Sequence, residues 1–371
     1  MRPSVLYIGF KKQKGILEGG GLANLRCLRT LKKYFGEENV TAHYIMDESE
    51  RRPLWSYAYA IMLFLFNYHN GLTPNKVRHI IDMAQNYNVV FLSTSVIAII
   101  ANKLRKSGYQ GKIVTHYHNV ESIYYDAIMP KWLPGRKIVI NSAAHNDRYG
   151  CLYSDKIITL SDRDSRYLEK HYGRKADAII DVSLEDTYTP LSFEEGATLT
   201  SRRPKCIFLG SYSKPNNDGV LFFVKNVLPY VDIDFKVVGK GMSKLKQEDK
   251  CMENVETLSD VPDLRPYFEE ADFMILPVFS GSGMKIKTCE SLMYGKNILA
   301  SSESLEGYHL DPEKIGGLCN TADDYIKRLK YFIEHPIPRF NAYSRKVYLD
   351  NHSEAATYSK FSAVFDFSVS D

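Results

Sequence analysis

Phe273-Met274-Ile275-Leu276, then Pro277-Val278-Phe279-Ser280-Gly281-Ser282-Gly283-Met284-Lys285-Ile286-Lys287, then Glu290, is the stretch on which the reading turns. Four apolar residues, a small-residue turn and an amphipathic run read as a buried strand, a loop and a helix over Met284–Tyr294. Gly281, Ser282 and Gly283 would open that helix, whose first N–H groups and dipole suit a diphosphate, and Lys285 or Lys287 could neutralise it. Glu290, about two turns in, could accept two ribose hydroxyls as a fork. The plain alternative is a helix start with solvated charges.

The same strand-then-helix unit repeats on both sides of this stretch. In the second half, Cys206–Leu209, Phe235–Val238, Val255–Leu258 and Asn297–Ala300 read as further strands. In the first half the candidates are Val5–Ile8, Val40–Ile45, Val89–Ser93, Lys112–Thr115 and Lys156–Leu160, followed by a helix capped at Ser161. Periodicity fails between about Asp186 and Pro204, the expected linker. The fold class is α/β: two doubly wound, Rossmann-like domains facing a cleft, at 1–190 and 204–335. A helical pattern from Ala342 to about Phe365 is expected to cross back, so that 342–371 joins the first domain.

A chain of 371 residues fits two domains at about 150 residues each. With 44% hydrophobic and 25% charged residues it has the composition of a globular protein. A net charge of +4, spread rather than clustered, argues against a nucleic-acid partner. The six cysteines lack the short spacings of zinc or redox sites and fit a reducing cytoplasm. The apolar run Val5–Ile8 is too short for a signal peptide, and Tyr57–Phe66 is well short of the roughly 20 residues that span a bilayer. The segment 55–68, with Trp55, Tyr57, Tyr59 and Tyr68 at its edges, is a candidate for peripheral contact with a membrane or lipid-linked acceptor, and equally fits a buried helix.

Three other loops follow strands. Gly19-Gly20-Gly21 precedes a helix expected near Leu22 and would let a phosphate approach the backbone. His116-Tyr117-His118-Asn119-Val120-Glu121 groups imidazole, amide and carboxylate where sugar hydroxyls and developing charge could be held. Gly210-Ser211-Tyr212-Ser213-Lys214 can offer N–H groups and one cation to a phosphate. Each could also be an ordinary turn.

Taken in order, Phe208-Leu209-Gly210-Ser211 with Pro215-Asn216, Val237-Val238-Gly239-Lys240-Gly241, Ala271-Asp272 with Ile275-Leu276-Pro277, Gly281 through Glu290 to Gly295, and Ser304-Leu305-Glu306-Gly307 resemble the retaining family 4 glycosyltransferases of GT-B fold. The likeness is close over about Cys206 to Gly307 and looser earlier, at Gly20-Gly21, His118-Asn119-Val120-Glu121 and Thr159-Leu160-Ser161.

The resemblance implies transfer of a sugar from a nucleotide diphosphate sugar, UDP-linked, to a glycan or polyprenyl-linked acceptor, with retention and with no metal or other cofactor. It implies His118, Lys285 and Glu290 as catalytic residues. Gly20, Gly21, Gly210, Ser211, Lys214, Ser282, Gly283, Met284, Lys285 and Glu290 would bind the donor. Many members carry a glutamate eight positions before the ribose-binding one, where this chain has Ser282; N–H groups of Gly283 and Met284 could serve instead. The expected setting is polysaccharide or glycoconjugate assembly in the cytoplasm, at the inner face of the cell membrane. Rival readings are a catalytically idle nucleotide-sugar-binding partner of another transferase, a nucleotide-sugar epimerase and a nicotinamide dehydrogenase. The last lacks a full dinucleotide fingerprint.

Overall fold

The computed structural model describes residues 3–11, 19–46, 56–69, 71–189 and 203–365. By contacts it divides into two units, one of residues 1–181 with 357–371 and one of 182–356. Each is built on a six-stranded, wholly parallel sheet. Among the residues of the expected linker, 190–202 lie outside the described residues.

The first sheet contains β1 (Val5–Lys11), β2 (Val40–Met46), β3 (Val89–Leu92), β4 (Lys112–Tyr117), β5 (Lys156–Thr159) and β6 (Ala178–Ile179), in the order β2-β1-β3-β4-β5-β6. The four residues of β3 are all buried, as expected of a central parallel strand covered on both faces. Leu6, Ile8, Val90 and Leu92 pack on one face; Val5, Tyr7, Val89 and Phe91 pack on the other with Phe361, Val364 and Phe365 of the last helix, Glu354–Phe365. The returning helix therefore completes the core of the first unit.

The second sheet contains β7 (Lys205–Leu209), β8 (Asp234–Val238), β9 (Glu256–Leu258), β10 (Phe273–Leu276), β11 (Asn297–Ala300) and β12 (Gly316–Leu318), in the order β12-β11-β10-β7-β8-β9. β10 and β11 have the bounds expected from the sequence, Phe273–Leu276 and Asn297–Ala300. The edge strands β6 and β12 are additions to the sequence reading; both are very short, and β12 is two-thirds glycine, so neither has an apolar period to detect.

Four local readings are corrected. The helix after β1 starts at Gly19, not near Leu22, so Gly20 and Gly21 lie in its first turn rather than ahead of it. At a helix start, low propensity costs little. β4 runs on to Tyr117 because His116 and Tyr117 pair with Ile158 and Thr159 of β5, which leaves His118 as the first residue past the strand. The helix after β10 spans Ile286–Met293 with an extended Lys285 at its cap, so Glu290 is a little over one turn in. The expected helix from Ala342 to Phe365 is interrupted by a π turn at Tyr348–His352. There the chain at 182–184 intrudes: Tyr348 Oη donates to Leu184 O at 2.7 Å, Leu184 N donates to His352 O at 3.0 Å, and His352 Nδ1 lies 2.9 Å from Val182 O.

Two glycines allow the loops of the second unit to converge. A Cβ on Gly219, in the helix Lys214–Asn226, would fall 2.1 Å from Pro277 O, and one on Gly239 would fall 2.1 Å from Gly210 O. Gly219→Ala is expected to cost about 1–3 kcal/mol, the range for forcing atoms into a packed site, and to lower the melting temperature of the chain by several degrees. A melt within about 1 °C of the parent in differential scanning calorimetry would show that this contact gives way without cost.

Candidate functional site

In an open parallel sheet the loops leaving either side of the point where strand order reverses form a crevice beyond the carboxyl ends. In the second sheet that point lies between β7 and β10. Gly210 follows β7 directly, and its N–H donates to Val238 O at 3.0 Å. A Cβ there would meet the Lys287 ammonium at 2.9 Å and the Asn216 amide at 3.0 Å. Lys287 is thus the cation at the reversal point. Its ammonium donates to Asn216 Oδ1 and stands 4.4 Å from the centroid of the Phe208 ring, while Asn216 Nδ2 donates to Ser211 O at 2.7 Å.

Lys287 is half-buried as a residue, but its ammonium is enclosed. Burial first, and then the Lys285 charge, lower its pKa to about 7, against an opposing pull from Glu290. An ammonium in this state gains most from an arriving anion, because it exchanges an unfavourable enclosure for a partner.

Lys285 has a different fate. Its ammonium donates to Glu303 Oε1 at 2.7 Å and to Gly283 O at 2.9 Å, with Ser282 O 3.5 Å away, and its carbonyl accepts from Tyr308 Oη at 2.8 Å. The Lys285 and Glu303 side chains are 12% and 18% exposed, so the pair is largely out of water. The turns after β10 and β11 are further tied by serines: Ser304 Oγ donates to Leu276 O at 2.7 Å and accepts from Val278 N at 3.3 Å, Ser301 Oγ donates to Val278 O, and Thr288 Oγ1 donates to Ser304 O at 2.7 Å. Gly283 and Met284 are buried inside this frame and Ser282 is half-buried. Lys214, by contrast, opens its helix 71% exposed and pairs with Asp218 at 2.6 Å one turn on.

Glu290 lines a cavity of about 250 Å³ with Thr187, Arg265, Phe268, Met293 and Tyr294. Phe268 and Tyr294 stack at 4.3 Å with an interplanar angle of 4°, and Thr187 Oγ1 lies 3.1 Å from Tyr294 Oη. Asp263 orients Arg265, accepting from its Nε at 2.9 Å.

In the first unit His118, Glu121, Thr94 and Ser95 gather beyond the ends of β3 and β4. Burial lowers His118 to about 4, so its imidazole is neutral; its ring stands perpendicular to that of His116 at 4.5 Å, and its Nε2 is buried with no hydrogen-bond partner among the described residues. Burial, then the Asp147 charge, raise Glu121 to about 8, and Thr94 Oγ1 donates to it at 3.1 Å. Asp147, on the helix Arg136–Tyr153, accepts from Ser95 Oγ at 2.8 Å and from the N–H groups of Ser122 and Glu121 at 3.0 and 3.3 Å. Burial raises its carboxyl to about 6. The charged carboxylate read into this loop is therefore a neutral acid at neutral pH.

Residues 203–335 match the family model of the glycosyl transferases group 1. The solved structures agree on the fold: Anabaena Alr3699/HepE in complex with UDP-glucose is 12% identical with a TM-score of 0.65, over 97% of this chain and 98% of that one. Sucrose-phosphate synthase from Thermosynechococcus elongatus is 12% identical at 0.66, over 98% and 95%. The UDP-forming α,α-trehalose-phosphate synthase from Burkholderia vietnamiensis is 13% identical at 0.58, over 97% and 99%. The fold is thus GT-B, with two parallel α/β sheets. No curated protein matches the chain by sequence.

Two of these residues, Glu303 and Asp147, escaped the reading from sequence. Glu303 had no motif of its own, and Asp147 sits mid-helix and far along the chain from its partners, while Lys285 and Lys287 were alternatives for the diphosphate that only enclosure tells apart. With Lys287 at about pH 7, an anion held by its ammonium raises that pKa, so affinity for a nucleoside diphosphate is expected to be level below pH 7. It should weaken by up to tenfold per unit as pH rises from about 7 towards the pKa of the complex. Titration calorimetry across pH 6–9 checks this, and Lys287→Met should bind at least tenfold more weakly at pH 6.5 with the slope gone.

Proposed function

We propose that this chain is a retaining glycosyltransferase that moves a sugar from a UDP-sugar to a glycan or polyprenyl-linked acceptor, without a metal, in polysaccharide or glycoconjugate assembly. The observation that carries the reading is Lys287, an enclosed ammonium at the strand-order reversal, beside the N-terminus of Ile286–Met293 and one turn before Glu290. The Anabaena protein named above was solved with UDP-glucose, which agrees with a UDP-linked donor.

Breaking the bond between the anomeric carbon and the diphosphate leaves negative charge on the departing UDP. Lys287 and the first-turn N–H groups meet that charge as it develops, in an enclosed place where such interactions are strong. The acceptor oxygen bonds to the anomeric carbon on the face that UDP leaves, and its proton passes to the departing phosphate, so no protein base is required. Glu290 holds the ribose hydroxyls, and the cavity walled by Phe268 and Tyr294 takes the base. Gly210 and Ser211 line the phosphates, and the Gly281–Lys285 turn faces the sugar.

Incubation with EDTA and a panel of UDP-, GDP- and dTDP-sugars, with and without a membrane-lipid extract, tests this by release of nucleotide diphosphate. Release from a UDP-sugar that needs the extract is expected, falling at least a hundredfold in Lys287→Met, with Glu290→Gln raising the donor KM about tenfold. Tight binding without release under every acceptor would make the chain an idle binding partner.

A lipid-linked acceptor fits the helix Ser56–Leu65. Tyr59, Ile61 and Met62 are each 44% exposed, and Leu65 and Phe66 are 62% and 65% exposed, while Leu63 is buried. This apolar face suits the plane of a membrane interface. Trp55 lies outside the described residues, and no described helix is long and apolar enough to cross a membrane. Co-sedimentation with phosphatidylglycerol vesicles is expected for the parent and should fall several-fold in Leu65→Glu/Phe66→Glu, with donor binding unchanged.

A further inference from the structure

The Lys285–Glu303 pair asks for an explanation that folding alone does not give. Taking both charges out of water costs more than their attraction commonly returns, and apolar replacements of such pairs are often as stable. This pair is 12% and 18% exposed, with its groups 2.7 Å apart. It lies beyond the carboxyl ends of β10 and β11, where ligands of open sheets sit. It joins the glycine turn that precedes the helix Ile286–Met293 to the turn after β11, and both turns are already fastened by Ser301, Ser304 and Thr288. Mechanical fastening is therefore supplied without it.

The pair also removes Lys285 from service as a free cation. Its ammonium donates to Glu303 Oε1 and to the carbonyl of Gly283, with the carbonyl of Ser282 at 3.5 Å. Two residues on, Lys287 remains the cation beside Gly210. The two lysines thus divide the work, one facing the phosphate position and the other holding a carboxylate next to it.

The geometry points to Glu303 as the group that binds hydroxyls of the donor sugar, with Lys285 as the positioning residue that aims its carboxylate. This rests on the donor site proposed above. A carboxylate has about four acceptor positions, and a pyranose ring presents adjacent hydroxyl donors that a carboxylate can accept as a fork. Ser282 in the same turn has no charge to offer, so Glu303, brought from β11, supplies the anionic acceptor there. Glu303 is accordingly a determinant of which sugar is accepted, because the sugar whose hydroxyls meet the fork is favoured.

The test separates sugar from nucleotide. Affinities for UDP and for UDP-glucose, UDP-galactose and UDP-N-acetylglucosamine are measured by calorimetry on the parent, Glu303→Gln and Glu303→Asp. Removing a negative charge near the phosphate position should leave UDP bound as tightly or more tightly, while the best UDP-sugar loses about tenfold, so the ratio of the two affinities falls. Glu303→Asp keeps the charge but draws it back by one methylene, and should lower the same ratio with a smaller change for UDP. If UDP and UDP-sugar shift together in both variants, or if the parent binds UDP but gains nothing from any sugar, Glu303 does not touch the sugar. A parent that binds neither UDP nor any UDP-sugar would instead overturn the donor site itself.

Discussion

Backbone meeting backbone without an intervening side chain is the constraint on which the second unit depends. Gly219 lets the helix Lys214–Asn226 lie against Pro277 O, and Gly239 lets the turn after β8 lie against Gly210 O. These approaches draw the turns after β7, β8 and β10 into one place. Buried parallel strands supply the rigid base: every residue of β10 and β11 is inaccessible, so the turns above them inherit fixed starting points.

On that frame, charge is sorted by burial. Lys285 and Lys287 are two residues apart and chemically identical, yet one is paired with Glu303 and the other is enclosed beside an amide and an aromatic ring. Enclosure lowers the pKa of Lys287 to about 7, which leaves it hungry for a counter-charge. The first unit uses the same physics in the opposite sense. Burial keeps His118 neutral and raises Glu121 and Asp147, so beyond β3 and β4 the charged forms of these groups are disfavoured.

Fold class and most strand positions were legible in the sequence. β10 and β11 have the bounds expected of them, Phe273–Leu276 and Asn297–Ala300, β3 ends one residue short of its expected Ser93, and Ser161 caps its helix as its type suggests, accepting from Asp164 N at 3.2 Å. Element ends were not legible where pairing decided them: β4 gained His116 and Tyr117 from its rungs with β5, and the helix expected over Ala342–Phe365 opened into a π turn where residues 182–184 bond into it. Both outcomes depend on partners distant in sequence.

The sequence by itself determined that two parallel sheets would form, and that glycines, lysines and a carboxylate would follow the strand Phe273–Leu276, because local period and turn chemistry are properties of neighbours along the chain. Only the tertiary structure decided which lysine is the free cation, that Glu303 stands against Lys285, and that Asp147 closes the turn at Glu121 and Ser122. Burial and the distance between charges belong to the packed state, and a one-dimensional sequence specifies them only through the whole fold.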